Sequence, residues 1–205
     1  MDKRYEKLQE CLKYVRSKTD FKPEIALILG SGLGDYARNM EVACEIPYGE
    51  IPGFPVSTAP GHDGRFIFGT VAGKKLVCMK GRVHYYEGYD ISDVVLPTRL
   101  MRLMGAEILF LTNASGGIRE DFKPGDFMLV KDHISIFAPN PLVGPNIDEL
   151  GVRFPDMSHV YDEKLRDKIK ASAKELSIDL KEGIYVQLTG PSYESPTEIQ
   201  MIKIT

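Results

Sequence analysis

The sequence predicts an α/β protein: a single domain over residues 1–205, built on a mixed, largely parallel central β-sheet flanked by helices. Two observations lead to this fold class. Short apolar runs typical of buried parallel strands recur along the chain, at residues 25–29, 75–80 and 108–111. Segments with apolar residues at helical spacing alternate with them, at residues 3–17 and 91–104.

The length and composition fit one globular domain with a sizeable core. The 205 residues are 43% hydrophobic and 27% charged, with a net charge of −3 spread over interspersed acids and bases. We see no basic stripe for nucleic acid, no polybasic patch and no apolar run of membrane-spanning length. The cysteines Cys11, Cys44 and Cys78 form no C-x-x-C pair, which indicates a reducing compartment. We therefore expect a cytoplasmic protein with no nucleic-acid or membrane partner.

The same patterns predict the remaining elements. Pro97 lies in the predicted helix 91–104. A proline destabilises a helix least in its first turn, so Pro97 is best tolerated if the helix begins later than residue 91. We expect a β-hairpin at residues 65–80 and two strands, at 127–130 and 134–137, around Asp132-His133. A helix at 161–177, a last strand at 184–188 and the start of a further helix at residue 196 follow.

A glycine-rich turn, Gly30–Gly34 (GSGLG), directly follows the first buried strand. Its glycines allow a tight turn and bring backbone N–H groups close to a ligand, while Ser31 adds a hydroxyl. A dinucleotide-binding fingerprint is disfavoured, because Asp35 occupies the position of its third glycine. The turn suits one small anion, and an ordinary strand-to-loop turn is an equal alternative.

A dense set of polar side chains follows the strand at 75–80, in Gly81–Tyr89 (GRVHYYEGY). Arg82 and His84 are two residues apart, so on a continuing strand they would point to one side. They would present an anion-binding guanidinium and a titratable imidazole together, with Tyr86 and Glu87 beside them. Taken alone, the stretch favours a polar strand end with solvated tips, and only the turns at the other strand ends favour a ligand site.

Two further special turns follow buried strands, at Thr112–Gly117 (TNASGG) and Thr189–Glu194 (TGPSYE). After the second turn, Ser195 and Glu198 form a capping box that starts a helix just beyond Glu194. Open α/β sheets bind ligands at the carboxyl ends of their strands, so we expect all four turns to meet in one crevice. That crevice would offer an oxyanion site and an aromatic residue with an acid for a planar ring bearing an N–H. We find no metal-ligand spacing and no serine-nucleophile motif.

These motifs resemble those of the trimeric-type purine nucleoside phosphorylases. The resemblance runs from about residue 5 to the last residue, and five motifs occur in the family's order. They are Gly30–Gly34, Pro60–Arg65 (PGHDGR), Gly81–Tyr89, Thr112–Gly117 and Gly190–Glu194.

The resemblance implies a function: reversible phosphorolysis of purine nucleosides of the inosine or guanosine type. The products are the free base and ribose or deoxyribose 1-phosphate. Phosphate is a co-substrate, no cofactor or metal is needed, and the family's oligomer implies a homotrimer.

The resemblance also implies roles for individual residues. The implied phosphate ligands are Ser31, Arg82, His84 and the backbone N–H of Ala114, with His62 closing over the anion. Tyr86 and Ala114 contact the nucleoside, Tyr193 packs on the base, and Glu194 accepts from the purine ring N–H. Phe154 matches an aromatic that enters the sugar pocket of a neighbouring subunit. Catalysis would involve His84, Glu87 and Glu194, with Glu87 orienting its neighbours.

Other functions stay open at this point. The family continues past Thr205 with further base, sugar and phosphate ligands, so we expect this chain to lack its C-terminal part. It could be a catalytically silent fragment that only binds phosphate or assembles with partners. A methylthioadenosine phosphorylase shares the fold but is less favoured, because the resemblance gives that group no glutamate at position 194. A nicotinamide-dinucleotide-binding module is disfavoured by Asp35.

Overall fold

The computed structural model describes residues 2–57 and 64–203. The chain divides into two compact units, residues 1–114 and 115–205.

The first unit contains a five-stranded mixed sheet with the order β2-β3-β4-β1-β5. The central strand β1 pairs in parallel with β4 on one side and β5 on the other, while β2-β3 and β3-β4 are antiparallel. This agrees with the predicted mixed α/β sheet. The strands are β1 Ile25–Ile28, β2 Glu41–Pro47, β3 Arg65–Val71, β4 Lys74–Lys80 and β5 Ile108–Leu111.

The described residues of the first unit include the α-helices α1 Lys3–Lys18, α2 Ile91–Val94 and α3 Leu96–Met104. Helix α1 begins at Asp2, whose carboxylate accepts from the Arg4 backbone N–H at 2.8 Å and so satisfies one of the unpaired donors of the first turn. The predicted single helix over 91–104 is instead two helices, interrupted at Val95. Pro97 explains the break, because proline fits the first turn of a new helix but not a helix interior.

An aromatic cluster forms the buried side of the hairpin. Its members, Tyr48, Phe54, Phe66 and Phe68, are buried. The distance between ring centroids is 4.9 Å for Tyr48 and Phe54 and 5.0 Å for Tyr48 and Phe66. The Tyr48 hydroxyl is satisfied by donating to the Gly81 carbonyl oxygen at 2.8 Å, as a buried polar group requires. Burial of these rings therefore also anchors the residue directly after β4.

The second unit holds a parallel pair of strands, β6 Phe127–Ile134 and β7 Leu180–Val186, with helices α4 Glu163–Glu175 and α5 Pro196–Lys203. Two predictions were wrong here. The two strands expected at 127–130 and 134–137 are one strand, which crosses Asp132 through an irregularity in pairing after Val130. The last strand begins at Leu180 rather than Ile184.

No described helix has the length and apolar character needed to cross a membrane.

Candidate active site

Three of the predicted ligand turns lie at one edge of the first unit's sheet. Because β4, β1 and β5 are adjacent and parallel, their carboxyl ends point the same way. Ser31 follows β1, Arg82 follows β4 and Ala114 follows β5. This is the edge at which open α/β sheets bind ligands. The structure thus places these three turns at the same end of the sheet, as the strand directions predict.

The ends of β1 and β5 approach each other unusually closely at Gly30. An added Cβ there would lie 2.7 Å from both the Asn113 Cα and the Thr112 carbonyl oxygen, so only glycine fits. The Gly30 N–H donates to Thr112 Oγ1 at 2.9 Å, and that hydroxyl donates to the Ile28 carbonyl oxygen at 2.9 Å. The two small-residue turns therefore leave the sheet side by side. Ser31 and Ala114 are exposed beyond this contact.

Arg82 is half-buried and held against the first of these turns. Its Nη1 donates to the Leu29 carbonyl oxygen at 3.1 Å. A guanidinium carries several N–H donors in a planar fork, and this fork suits the oxygens of an oxyanion. Arg82 and the Gly30–Gly34 turn therefore lie in one neighbourhood.

The stretch after β4 does not continue as a strand, so the expectation that alternation places Arg82 and His84 on one face was wrong. Gly81 has φ +88°, a left-handed conformation that suits glycine and ends the strand. A short 3₁₀ helix, Tyr85–Glu87, comes next, with His84 as its N-cap residue. Turn geometry, rather than strand alternation, sets the direction of these side chains.

His84 and Glu87 form a reciprocal cap on that 3₁₀ helix. Glu87 Oε1 accepts from the His84 backbone N–H at 2.6 Å and lies 3.1 Å from the His84 ring Nδ1. The Glu87 side chain is only 3% exposed and that of His84 is 19% exposed. A nearly buried carboxylate thus fixes the position of the imidazole. Of the two ring nitrogens, Nδ1 faces Glu87 and Nε2 does not.

Tyr86 is half-exposed and lies over the same histidine. Its ring stacks on the His84 ring with a centroid distance of 4.8 Å and an interplanar angle of 15°.

Two hydrogen bonds connect residues 56 and 57 to this stretch. Ser57 Oγ donates to Glu87 Oε2 at 3.2 Å, and the Tyr89 hydroxyl donates to the Val56 carbonyl oxygen at 2.7 Å.

The second unit carries the other three predicted site residues. Tyr193 is 98% exposed and Phe154 is 86% exposed, with the Arg153 guanidinium carbon 5.7 Å from the Phe154 ring centroid. Glu194 is half-buried. The predicted capping box is confirmed, since Glu198 Oε2 accepts from the Ser195 N–H at 2.6 Å and Ser195 Oγ accepts from the Glu198 N–H at 3.3 Å.

His62, predicted to close over the anion, lies outside the described residues. Among residues 2–57 and 64–203, no group of three or more His, Cys, Asp or Glu side chains could hold a metal ion.

Sequence reasoning gave no role to Thr112, Tyr48, Ser57 or Tyr89. Thr112 carried the clearest signal, because a β-branched hydroxyl directly after a buried strand can bond to a neighbouring strand end. The partners of the other three side chains are distant in sequence, and no local pattern indicates them.

Comparisons with known proteins agree on one family. Residues 24–205 match the profile of the Phosphorylase superfamily. Purine nucleoside phosphorylase 1 of Geobacillus stearothermophilus is 48% identical over 197 residues, which cover 96% of this chain and 72% of that protein.

Solved structures give the same result. Purine nucleoside phosphorylase of Schistosoma mansoni with hypoxanthine matches with a TM-score of 0.91 at 41% identity, over 97% of this chain and 72% of that one. Isoform 2 of that organism's enzyme, with cytosine and ribose-1-phosphate, matches with a TM-score of 0.90 at 42% identity, over 97% and 71% of the two chains.

Proposed function

We propose a function from the premise that this chain belongs to the Phosphorylase superfamily and, within it, to the purine nucleoside phosphorylases. The reaction is reversible phosphorolysis of a purine nucleoside. Its products are the free purine base and a pentose 1-phosphate. The solved relatives support both halves of this substrate, since one is described with hypoxanthine and another with ribose-1-phosphate.

One observation carries the phosphate site: the turns after the parallel strands β4, β1 and β5 lie at one sheet edge. In the proposal, Ser31, Arg82, His84 and the backbone N–H of Ala114 bind phosphate. The Arg82 guanidinium supplies charge and the other groups supply directed donors. His62 is a further phosphate ligand in this scheme, and it rests on the family resemblance alone.

The chemistry these groups support is electrostatic. Breaking the bond between the anomeric carbon and the purine nitrogen builds positive charge on the sugar, as in glycoside cleavage. A phosphate oxygen then bonds to the anomeric carbon, and the electron pair of the broken bond leaves with the purine. A fixed phosphate anion stabilises the developing cation before it attacks. Glu87 contributes by holding His84, and Tyr86 contacts the sugar.

The base site rests on Tyr193 and Glu194. Tyr193 offers an aromatic face to the purine, and the Glu194 carboxylate accepts from a ring N–H. A carboxylate at that position favours 6-oxopurines, such as hypoxanthine and guanine, over adenine. The half-buried position of Glu194 supports the role, because partial desolvation strengthens a charge-assisted hydrogen bond.

The proposal includes a homotrimer in which Phe154 enters the sugar pocket of a neighbouring subunit. Its support is the 86% exposure of this large aromatic side chain, which is typical of residues that become buried in an interface. The oligomer can be tested by light scattering of the purified chain. Replacing Phe154 with alanine should raise the KM for nucleoside.

The enzyme works without metal or organic cofactor, with phosphate as co-substrate. It resides in the cytoplasm, which the free thiols of Cys11, Cys44 and Cys78 support. Residues 1–205 act as one domain, and coincident unfolding transitions by two probes would test this last point.

The deciding experiment is hypoxanthine release from inosine by the 205-residue chain, with and without phosphate, beside adenosine and methylthioadenosine. Phosphate-dependent release from inosine supports the function, and little turnover of adenosine supports the role of Glu194. Turnover of methylthioadenosine in preference to inosine would favour the sibling activity. Phosphate binding without turnover of any nucleoside would favour a catalytically silent chain.

A further inference from the structure

Thr112 ends the pairing of β1 with β5 in an irregular way. The Thr112 backbone N–H donates to the Ile28 carbonyl oxygen at 3.1 Å, as in a regular parallel ladder. The next rung of such a ladder would run from the Gly30 N–H to the Thr112 carbonyl oxygen. Instead the Gly30 N–H donates to the Thr112 side-chain hydroxyl at 2.9 Å. A side chain therefore replaces the last backbone rung.

The hydroxyl is used twice, which fixes its orientation. It accepts from Gly30 and donates to the Ile28 carbonyl oxygen at 2.9 Å. Threonine is also restricted at χ1 by its branched Cβ, so little freedom remains. Gly30 also leaves no room for a Cβ against the backbone of residues 112 and 113. The separation of the two strand ends is thus set by a close backbone approach together with the hydrogen bonds of the Thr112 hydroxyl.

Two proposed phosphate donors start directly from this junction. Ser31 follows Gly30, and Ala114 comes two residues after Thr112. Donors from two chain segments must match the oxygens of one small tetrahedral anion, and hydrogen bonds weaken steeply outside a narrow range of distance and angle. We propose that Thr112 is a positioning residue for phosphate, whose hydroxyl sets the spacing between the Ser31 and Ala114 donors. This inference rests on the proposed phosphorolysis for the identity of the anion.

The test compares phosphate affinity and kinetics in four chains: unaltered, Thr112→Val, Thr112→Ser and Thr70→Val. Valine keeps the shape of threonine but removes the hydroxyl, whereas serine keeps the hydroxyl. Thr70 is the matched control, because its hydroxyl donates to Glu41 Oε2 in an exposed hydrogen bond between β3 and β2. Calorimetric titration with inorganic phosphate gives the dissociation constant, and initial rates with inosine give both KM values.

We expect Thr112→Val to weaken phosphate binding about tenfold, the effect of losing one well-made hydrogen-bonded contact. The KM for inosine should change less than about twofold, a split that a general loss of structure would not produce. Thr112→Ser should restore phosphate affinity to within about twofold, and Thr70→Val should leave it unaltered. Hydrogen exchange should show loss of protection at the Gly30 amide in the valine variant. If that variant does not fold, Thr112→Ala takes its place with the same expectation.

Unaltered phosphate affinity in Thr112→Val would overturn the inference, as would equal losses for phosphate and inosine or a serine variant that fails to restore binding. Failure of the proposed function gives a different result. An unaltered chain that binds phosphate but releases no hypoxanthine contradicts phosphorolysis, while the loss of phosphate affinity in Thr112→Val would still support the positioning role. An unaltered chain that binds no phosphate contradicts both.

Discussion

Glu87 and His84 are joined at two points, since Glu87 Oε1 accepts from the His84 backbone N–H at 2.6 Å and lies 3.1 Å from the His84 ring Nδ1. One oxygen thus fixes both the backbone and the ring of the same residue. The imidazole can present only its other nitrogen to a ligand while this arrangement lasts. In the proposed reaction, Glu87 acts through His84 and does not itself touch the phosphate.

Glu87→Gln should lower kcat/KM for phosphate about tenfold, because the neutral amide holds the His84 ring less firmly. The loss should appear mainly in the KM for phosphate, the ligand proposed for His84. Steady-state kinetics with both substrates varied measures it. Glu10→Gln, an exposed position on α1, is the control and should behave as the unaltered chain does. A loss confined to the KM for inosine would contradict the link to phosphate.

Arg82→Lys should raise the KM for phosphate about 10- to 100-fold. The planar guanidinium of Arg82 can donate to the Leu29 carbonyl oxygen and to an oxyanion at the same time, whereas the compact ammonium of lysine lacks this forked geometry. Phosphate-dependent initial rates give the value. Arg38→Lys tests the same chemical change on the surface, where Arg38 pairs with Asp35 and both side chains are largely exposed. Equal effects of the two substitutions would remove the assigned role of Arg82.

Glu194→Gln should change base selectivity. The amide can accept from a ring N–H only weakly, so we expect kcat/KM for inosine to fall about 100-fold and that for adenosine to change far less. The ratio of the two constants is the measurement. Glu175→Gln, exposed at the end of α4, serves as the control. A proportional loss for both nucleosides would exclude base recognition as the reason.

Gly30→Ala should destabilise the fold by about 2–3 kcal/mol, because the new Cβ meets two backbone atoms that cannot move aside independently. Denaturant titration gives the free energy of unfolding. Gly49→Ala is the matched control: a Cβ there meets no heavy atom within 4 Å. We expect that control to keep full stability or gain slightly. Similar losses at both positions would argue against the close approach of β1 and β5.

The buried thiols should resist modification at neutral pH. Burial raises the pKa of Cys78 to about 12 and that of Cys11 to about 11, so both stay protonated and unreactive. Cys44 is only half-buried and should react first with a thiol reagent, as followed by mass spectrometry. Because unfolding returns both pKa values to about 9, the unfolded chain loses these protons first as pH rises. Stability should therefore fall as the pH rises from about 9 towards about 12. Labelling of Cys78 before Cys44 would contradict this order.

The sequence predicted those elements in which local pattern and burial agree. Strands β1, β3, β4 and β5 are mostly apolar runs, and α1 has both a capping aspartate and a regular apolar face. The edge strand β2 was missed because most of its residues are exposed and its pattern is polar. In the second unit, the polar pair Asp132-His133 predicts a break between two strands, and the apolar pattern starts the last strand only at Ile184. Asp132-His133 and Lys181-Glu182 nevertheless lie inside strands.

The site divides in the same way. The sheet edge that gathers Ser31, Arg82 and Ala114 was predictable, because it depends only on strand direction and on the residues directly after each strand. The reciprocal cap of His84 and Glu87 was not, since it requires the chain to leave the strand at Gly81. Bonds such as Tyr48 to Gly81 join distant segments, and no periodicity in the sequence encodes them.

The central position of β1 has a consequence for how the first unit is made. Gly30 and Thr112 are 82 residues apart in the chain, yet they share the hydrogen bond that ends the sheet. Because the chain is made from its N-terminus, the β5 side of β1 has no strand to pair with until residues 108–112 have been synthesised. The hydrogen bond between Gly30 and Thr112, and with it the spacing of the two turns proposed to hold phosphate, can form only after that point.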